Sequence, residues 1–185
     1  MRFTQTDLPL SGLKLVERKR LGDERGFLTR MFCDKEFAAL GWDAAVAQVN
    51  LTRTSELGTV RGMHFQYPPH TELKLVSCLQ GDIWDVAVDL RAGSPTFLKW
   101  HAERLSAEND SAMLIPRGFA HGFQALSNDV ELLYLHSSAY NGKSEGVLNP
   151  LDPMLHIDWP IAIAKMSIRD KHHPLLQPTF KGIDT

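Results

Sequence analysis

From Ala45 to Ser137 the chain is a succession of short β-type runs, each five to nine residues long and bounded by turn-forming residues. Gly81-Asp82 and Asn109-Asp110 are among the turn signals that separate these runs at even spacing. No helical segment between them is long enough for a βαβ crossover, so the pattern predicts an antiparallel, mainly β fold of the jelly-roll (double-stranded β-helix) type. The runs read VAQVNLTRT, TVRGMHFQ, KLVSCLQ, DIWDVAVDL, LKWHAERL, AMLIP, HGFQAL and VELLYLHS.

Residues 1–44 predict smaller elements. LKLVERKR at 13–20 has the alternation of a strand that runs out into a charged edge, and we expect this segment to form an edge or an arm. The glycines of GDERG favour a turn, and we expect a strand over residues 27–32 to follow it. A short helix is expected over residues 34–40, with Asp34 as its N-cap.

The apolar content and the prolines set the domain organisation. Apolar residues make up 43% of the chain, which is enough to fill one core at this length. Five prolines after residue 140 predict a tail with no more than short helices. We expect a single domain, 1–185, that consists of an N-terminal arm with a short helix (1–44), a jelly-roll core (45–140) and a Pro-rich C-terminal tail (141–185).

Charge and cysteine usage narrow the possible partners. The net charge is -2 and the basic residues are scattered, so the chain has no basic patch for nucleic acid. No apolar stretch approaches the roughly 20 residues of a membrane span or resembles a signal peptide. Cys33 and Cys78 lie far apart without a CxxC pattern, which favours free thiols in a reducing compartment. We expect a cytoplasmic protein that binds neither nucleic acid nor membrane.

The run RGMHFQ contains the first candidate for chemistry. As a strand it places His64 and Gln66 on one face, because side chains two residues apart point the same way. The preceding run does the same with Gln48, Asn50 and Thr52. A small barrel binds its ligand among inward-facing side chains, so these polar faces mark a candidate site. A histidine in an apolar strand is more often structural than catalytic, and His64 therefore needs partners from elsewhere in the chain.

Four further polar side chains could supply those partners. Lys74 begins a strand, and its ammonium needs a carboxylate or a bound anion if it faces the barrel interior; a surface position fits the pattern equally well. His121 lies among glycines and aromatic residues, which suits close packing around one polar group. Tyr134 lies near the end of an apolar strand and needs a hydrogen-bond partner if it is buried. Asp170 lies in the tail, where a helix cap or loop position is the plain interpretation.

Two chemistries are compatible with a barrel that contains histidines. A metal site could use His64, His70, Glu72 and His121. However, Gln66 stands where a His-x-His pair would need its second histidine, and two prolines before His70 favour a loop. The second chemistry is metal-free proton abstraction, with a His as base, a carboxylate that orients it, a Tyr as acid and a Lys that stabilises an enolate. The chain contains all four residue types.

Ten motifs in order along the chain point to a known family. They are GDERGF (22–27), QVN (48–50), RGMHFQ (61–66), KLVSCLQGDIWDVAVDLRAGSPTF (74–97), LSAEN (105–109), IPRGFAHGF (115–123), Tyr134, Glu145-Gly146, Asp152-Pro153 and IDWP (157–160). Together they resemble the dTDP-4-dehydrorhamnose 3,5-epimerase family, although each motif alone is weak. The resemblance implies a cupin-like, metal-free jelly roll without a cofactor, which forms homodimers by exchanging N-terminal arms. It also implies an isomerase that epimerises a nucleotide-linked 4-keto-6-deoxyhexose at carbon 3, carbon 5 or both, in rhamnose, other deoxysugar or surface-polysaccharide biosynthesis.

The same resemblance assigns catalytic roles to individual residues. His64 would be the base that removes the proton α to the ketone, and Asp170 would hold its imidazole in the right tautomer. Lys74 would stabilise the enolate oxygen. Tyr134 would return a proton from the opposite face of the sugar ring.

Nine residues are predicted to bind the substrate. Arg61 and Lys171 are candidates for the diphosphate, together with Arg25 from the arm. Arg61 has the opposite strand parity to His64, so it reaches the site only if the strand bulges near Gly62. The predicted substrate-binding residues are Arg25, Phe27, Gln48, Asn50, Arg61, His121, Tyr140, Glu145 and Lys171.

Three positions depart from the family pattern at the nucleotide end. Arg30 stands where the family usually has Glu, Ala139 where it has an aromatic residue, and Pro150 where it has Trp. Loss of aromatic rings and reversal of a charge could change how a base is held, which leaves open the same chemistry on a CDP- or GDP-linked sugar. A metal-dependent cupin enzyme and a sugar-binding barrel without catalysis are also compatible with these residues.

Overall fold

The computed structural model describes residues 2–185; Met1, the first residue of the expected arm, lies outside them. The helices are α1 (Asp34–Ala38) and α2 (Ile168–Lys171). Neither of them, nor any other helical stretch within residues 2–185, has the length and apolar character needed to cross a membrane. The strands are β1 (Phe3–Asp7), β2 (Lys14–Arg18), β3 (Leu21–Asp23), β4 (Gly26–Leu28), β5 (Gln48–Thr54), β6 (Val60–Gln66), β7 (Lys74–Gln80), β8 (Asp82–Asp89), β9 (Trp100–Ser106), β10 (Ser111–Ile115), β11 (Phe119–Ala125), β12 (Val130–His136) and β13 (Glu145–Val147).

Two antiparallel sheets make up the barrel. One has the order β1-β2-β10-β7-β12-β5 and the other the order β13-β6-β11-β8-β9. From β5 to β8 each successive strand lies in the opposite sheet, so the chain crosses repeatedly between them as in a jelly roll. The eight sequence runs correspond to β5–β12, and the prediction of a mainly β, cupin-like jelly roll is confirmed.

The core lies between the sheets, where the inward-facing side chains of both meet. Val76, Ile83, Met113 and Leu132 are fully buried there. A second apolar cluster, which includes Phe37 of α1, covers the outer face of the six-stranded sheet. A third, formed with the C-terminal tail, covers the outer face of the five-stranded sheet. Because both outer faces are covered, several strands are apolar on both sides.

Parts of the predictions for three elements near the N-terminus were wrong. The strand expected to form an edge or an arm, β2, lies between β1 and β10, so the edge alternative was wrong, because β10 offers it a partner. The next strand, β4, ends at Leu28 instead of continuing to residue 32. The N-cap of α1 is Cys33, and Asp34 is the first helical residue, whose carboxylate accepts the next backbone amide at 2.8 Å. The helix also ends at Ala38, before residue 40.

The two ends of the chain are attached to the barrel differently. β1 and β2 extend the six-stranded sheet, whereas β3 and β4 form a separate two-stranded hairpin whose residues are all exposed. In the tail, β13 pairs with β6, and α2 also contacts that strand. The tail therefore delivers side chains to the same strand that carries His64.

Candidate active site

One mouth of the barrel is polar because the inward-facing side chains of two strands change from apolar in the core to polar at the mouth. On β7, Lys74 shares its face with Val76; on β12, His136 and Tyr134 share theirs with Leu132. Lys74 and His136 are partners in the strand register at the mouth, while Val76 and Leu132 lie deeper in the apolar core. The inward faces therefore enclose a polar cavity at this end.

A bulge at Gly62 reshapes β6 beside that cavity. β6 pairs with β11 as His64 with His121 and Arg61 with Phe123, so β6 has one residue more than β11 across this interval. Gly62 has a φ of 134°, and a Cβ atom there would collide with the facing backbone of β11. The extra residue reverses the alternation of the strand, so Arg61 lines the same cavity as His64. This is the bulge that Arg61 needs to reach the site.

Three cavities meet at His64. The wide cavity, about 570 Å³, opens at the mouth and is bordered by Gln66 and Glu145; the inner cavity, about 190 Å³, reaches Tyr134. The lateral cavity, about 510 Å³, lies between β6 and the tail and is bordered by Arg53, Arg61, Lys165 and Arg169. Volumes of this size suit an extended polar ligand.

His64 and Asp170 form a hydrogen-bonded pair where the cavities meet. Ser167 caps α2 by accepting the Asp170 amide at 3.0 Å, and His64 Nε2 lies 2.8 Å from Asp170 Oδ1. Burial opposes ionisation of Asp170, but the contacts with His64 and Ser167 outweigh it, so the pKa of this carboxyl is lowered. Because a carboxylate can only accept, Nε2–H is the donor, and Nδ1 keeps the lone pair of a base.

Arg169 lies over this pair. Its Nη1 is 2.9 Å from Glu145 Oε2, and its Nη2 is 3.0 Å from His64 Nε2. Since that nitrogen already donates to Asp170, the guanidinium contact is a close approach of positive charge rather than a second hydrogen bond. Arg169 was not among the predicted site residues, although its place next to Asp170 was a usable signal.

Lys74 lies buried at the mouth, and the counter-charge that its ammonium needs is Glu72. Its Nζ is 3.3 Å from Glu72 Oε1. Burial opposes ionisation of Glu72, but Lys74 and His136 outweigh that cost, so the pKa of the carboxyl is lowered. A cation is thereby held at the boundary between the wide and inner cavities. Sequence reasoning considered Glu72 only as a metal ligand and did not consider His136.

Tyr134 and His64 border the inner cavity from opposite sheets. Burial raises the pKa of Tyr134, so its phenol stays protonated. Its ring centroid lies 5.8 Å from that of His121. An acid and a base on opposite walls of one cavity can act on opposite faces of a bound ring.

A second histidine–aspartate pair lies deeper. His121 Nε2 is 2.7 Å from Asp85 Oδ1, and both side chains are buried. Burial raises the pKa of Asp85 and lowers that of His121, because it disfavours charge on either group. Sequence reasoning missed Asp85, although its strand parity with Ile83 and Ala87 placed it on the inward face.

The predicted substrate-binding residues fall into two groups. Arg25 and Phe27 lie on the exposed β3–β4 hairpin, and Lys171 is exposed on α2; within residues 2–185 these three border none of the three cavities. The roles of all nine residues stay predictions. The remaining six line the wide or inner cavity: Gln48, Asn50, Arg61, His121, Tyr140 and Glu145.

The four side chains considered as metal ligands each have a separate partner. His64 and His121 each bind an aspartate, His70 contacts an asparagine amide at 3.0 Å, and Glu72 bonds to His136 at 2.7 Å. Over the described part of the chain, residues 2–185, no three His, Cys, Asp or Glu side chains converge in a way that could hold a metal ion. Three of the four side chains therefore belong to separate histidine–carboxylate pairs, and His70 is paired with an asparagine.

Fold and site together define an acid–base enzyme, suited to move a proton on a carbon next to a carbonyl group. Residues 7–178 match the family model described as dTDP-4-dehydrorhamnose 3,5-epimerase. The chain belongs to this family, and the predictions of the family and of an isomerase are confirmed.

Similarity to individual relatives extends over nearly the whole chain. The dTDP-4-dehydrorhamnose 3,5-epimerase of Sinorhizobium fredii is 38% identical over 170 residues, which cover 91% of this chain and 87% of that protein. A dTDP-4-dehydrorhamnose 3-epimerase of Streptomyces niveus is 39% identical, over 91% of this chain and 82% of that protein. The dTDP-6-deoxy-D-glucose-3,5-epimerase of Legionella pneumophila, solved with dTDP-4-keto-L-rhamnose, has a TM-score of 0.86 at 41% identity, covering 91% of this chain and 89% of that one.

Proposed function

We propose that this protein epimerises a dTDP-linked 4-keto-6-deoxyhexose at carbons next to the ketone, in dTDP-rhamnose or another deoxysugar pathway. The observation that carries the proposal is the placement of the His64–Asp170 pair, Lys74 and Tyr134 around adjoining cavities in a chain of this family. The relatives support the substrate class, since two are named for dTDP-4-dehydrorhamnose and one was solved with dTDP-4-keto-L-rhamnose.

The proposed reaction begins when His64 Nδ1 takes the proton from a carbon α to the ketone, while the electron pair of that C–H bond forms an enolate. The Lys74 ammonium stabilises the negative charge on the enolate oxygen in a buried site. Tyr134 then gives its phenolic proton to the same carbon from the opposite face, which inverts the configuration. The imidazolium and the phenolate return to their starting states by proton exchange with solvent, so the protons balance.

For the nucleotide we favour dTDP. Tyr140 is 59% exposed beside the wide cavity, and its hydroxyl lies 3.2 Å from Glu145 Oε2, so its ring is available to a base. The charge reversal at Arg30 is balanced within the chain, because Arg30 Nη1 lies 2.8 Å from Glu36 Oε2. Titration with dTDP, CDP and GDP tests this choice, and we expect dTDP to bind most tightly. Tighter binding of CDP or GDP would contradict it.

For the diphosphate we propose Arg61 and Arg169. Both border the lateral cavity beside His64, and guanidinium groups suit bidentate contacts with phosphate. Arg169 replaces Lys171 as the tail cation of our proposal, because it lies next to His64, whereas Lys171 borders none of the three cavities.

An experiment can show whether the protein epimerises carbon 3, carbon 5 or both. A 3,5-epimerase and a 3-epimerase match this chain at 38% and 39% identity, so identity does not discriminate between them. Incubation of a dTDP-4-keto-6-deoxyhexose in heavy water, followed by NMR, reports deuterium at carbon 3 and carbon 5 separately. We expect incorporation at one carbon at least; no incorporation at either would reject the proposed function.

We further propose a homodimer with exchanged N-terminal arms. The β3–β4 hairpin exposes Phe27 and Leu28 by 58% and 66%, and a two-stranded hairpin alone is barely stable in water. The edge strand β5 exposes Val49 and Leu51 by 57% and 61%. Apolar side chains on a free sheet edge and on a projecting hairpin favour a second copy as their partner.

Mixing two inactive variants tests the arm exchange. Arg25→Ala disables the arm, and His64→Ala disables the core of the site. A heterodimer of the two then contains one intact site, made of the core of one chain and the arm of the other. We expect a mixture that is refolded together to recover about a quarter of wild-type activity, because half of the dimers are mixed and each has one good site. No recovery in dimers shown to be mixed would contradict the exchange.

A cytoplasmic location is part of the proposal. Cys33 and Cys78 are free thiols, and burial raises the pKa of Cys78 to about 12, which suits an unreactive thiol in a reducing compartment. Fractionation of cells that express the tagged protein tests the location.

A further inference from the structure

Glu72 and His136 are two partly buried titratable groups at the mouth that take no part in the proposed proton transfers. Their side chains are 11% and 12% exposed, and His136 Nδ1 lies 2.7 Å from Glu72 Oε2. The second oxygen of the same carboxylate lies 3.3 Å from Lys74 Nζ. His136 and Lys74 are register partners on β12 and β7, so their side chains leave the sheet side by side on its inward face.

A chain of hydrogen bonds with a defined direction leads to this carboxylate from the rim. It starts at the backbone amide of Tyr140, which can only donate, and which lies 2.9 Å from Gln48 Oε1. Gln48 must therefore present its Nε2 to Asn50 Oδ1, at 3.1 Å. Asn50 in turn presents Nδ2 to His136 Nε2, at 3.4 Å. With Nε2 as an acceptor, the proton of a neutral His136 is on Nδ1, and it is donated to Glu72.

The direction of this chain of hydrogen bonds fixes which atom donates and which accepts in each contact. Glu72 receives one bond from the neutral imidazole of His136 and one from the Lys74 ammonium, both of which favour the ionised carboxylate. A flip of either amide would set two donors or two acceptors against each other. Lys74 is therefore held by a carboxylate whose own position depends on side chains at the rim of the wide cavity, bordered by Gln48 and Tyr140.

We propose that Glu72 and His136 are positioning residues, which hold Lys74 at the reacting carbons and connect its position to the rim where Gln48 and Asn50 are predicted to bind the substrate. This positioning role rests on the proposed epimerase function. Glu72 acts on Lys74 directly and affects the chemical step. His136 joins Glu72 to Asn50 and affects substrate binding as well.

Two substitutions separate these roles. Glu72→Gln keeps the shape of the side chain but removes its charge, and it turns an amide N–H toward either Lys74 or His136 Nδ1. His136→Asn keeps a donor where Nδ1 stood, so the bond to Glu72 can form, but it removes the acceptor that faces Asn50. The matched control is Glu103→Gln, since Glu103 Oε1 lies 2.7 Å from His101 Nε2 on β9, outside all three cavities.

The measurement is deuterium wash-in with a dTDP-4-keto-6-deoxyhexose, analysed for kcat and KM, with the Tm of each variant as a check of folding and its affinity for dTDP measured separately. We expect Glu72→Gln to lower kcat about 10- to 100-fold with KM within about threefold of wild type, because the Lys74 contact strengthens as the enolate forms. His136→Asn should raise KM about three- to tenfold and lower kcat by less than Glu72→Gln does. Glu103→Gln should match the wild type.

The outcomes distinguish this inference from the function on which it rests. If the wild type shows no wash-in, the proposed function fails and this inference fails with it. If the wild type exchanges and Glu72→Gln behaves like Glu103→Gln while it still binds dTDP, the epimerase proposal stands and the positioning role is overturned. If His136→Asn lowers kcat as much as Glu72→Gln and leaves KM unchanged, the connection to the rim is overturned.

Discussion

The barrel contains two histidine–aspartate pairs that are alike in chemistry and different in surroundings. His64 with Asp170 and His121 with Asp85 have nearly equal contacts, 2.8 Å and 2.7 Å between Nε2 and Oδ1. The two histidines are register partners on neighbouring strands. The side chain of His64, however, is 34% exposed and borders all three cavities, whereas that of His121 is 6% exposed.

The difference shows that the surroundings of such a pair, rather than its composition, decide what it can do. The amide of Gly62 and the contact with Ser167 help to keep Asp170 ionised, so the pair can stabilise an imidazolium. Asp85 is fully buried, and its Oδ2 has no hydrogen-bond partner among residues 2–185, so burial disfavours its charge. The His64 pair is suited to gain and lose a proton, and the His121 pair is suited to shape the inner cavity.

The largest expected effect comes from the exposed histidine. His64→Ala removes the proposed base, so we expect deuterium wash-in to fall at least about 1000-fold, toward the uncatalysed rate. The control is His101→Ala, which removes a histidine of a His–Glu pair outside the cavities and should leave wash-in unchanged. Retention of more than a tenth of the wild-type rate by His64→Ala would show that His64 is not the base.

The next largest effect is a difference in kcat between variants of the two aspartates. Asp170→Asn removes the charge that stabilises the imidazolium, and we expect kcat to fall about 100-fold or more. Asp85→Asn replaces a carboxylate whose charge is already disfavoured, so we expect less than a tenfold loss of kcat and a loss of about 1 kcal/mol in the free energy of unfolding. Steady-state kinetics and urea unfolding on both variants provide the comparison. Equal losses of kcat would mean that the deeper pair takes part in catalysis.

The smallest expected effect concerns how stability depends on pH: the contributions of Asp170 and Asp85 should change with pH in opposite directions. The pKa of Asp170 is lowered in the folded protein, so near pH 4 the unfolded chain binds more protons at this site, and its contribution to stability is lost as pH falls. The pKa of Asp85 is raised, so the folded protein binds more protons there, and its contribution falls as pH rises.

Urea unfolding of the wild type, Asp170→Asn and Asp85→Asn between about pH 4 and 6 measures these contributions. As pH rises, the stability difference between wild type and Asp170→Asn should grow, and that between wild type and Asp85→Asn should shrink. Slopes of the same sign would remove the distinction between the pairs.

The parts of this molecule that could be predicted from sequence are those fixed by local periodicity. Alternation located β5–β12 and placed Asn50 and His64 on inward faces. It also predicted a bulge near Gly62. Arg61 and His64 point to opposite faces in a regular strand, so both can face the site only if the strand is irregular. The family resemblance named Lys74, Tyr134 and Asp170 as catalytic partners of His64, a role that stays a prediction, and the structure places all three around cavities that His64 borders.

The rest depended on contacts between distant segments. Glu72 meets His136 across 64 positions, and neither the loop before β7 nor the end of β12 shows this pairing by itself. Lys171 and Arg169 are both tail cations, and the start of α2 after Ser167 decides that Arg169 is the one beside His64. A short helix in a Pro-rich tail leaves too weak a pattern to fix that orientation.

The His64–Asp170 pair joins residues 106 positions apart, and this has a consequence for how the enzyme is made. Every strand described, from β1 to β13, precedes residue 148, whereas the Asp170 carboxylate lies on α2. The sheets can therefore be complete in a chain in which His64 still lacks its partner. A chain that ends between residues 147 and 170 would have all the strands but would lack the Asp170 carboxylate, so the completed His64–Asp170 pair requires that synthesis has reached the tail.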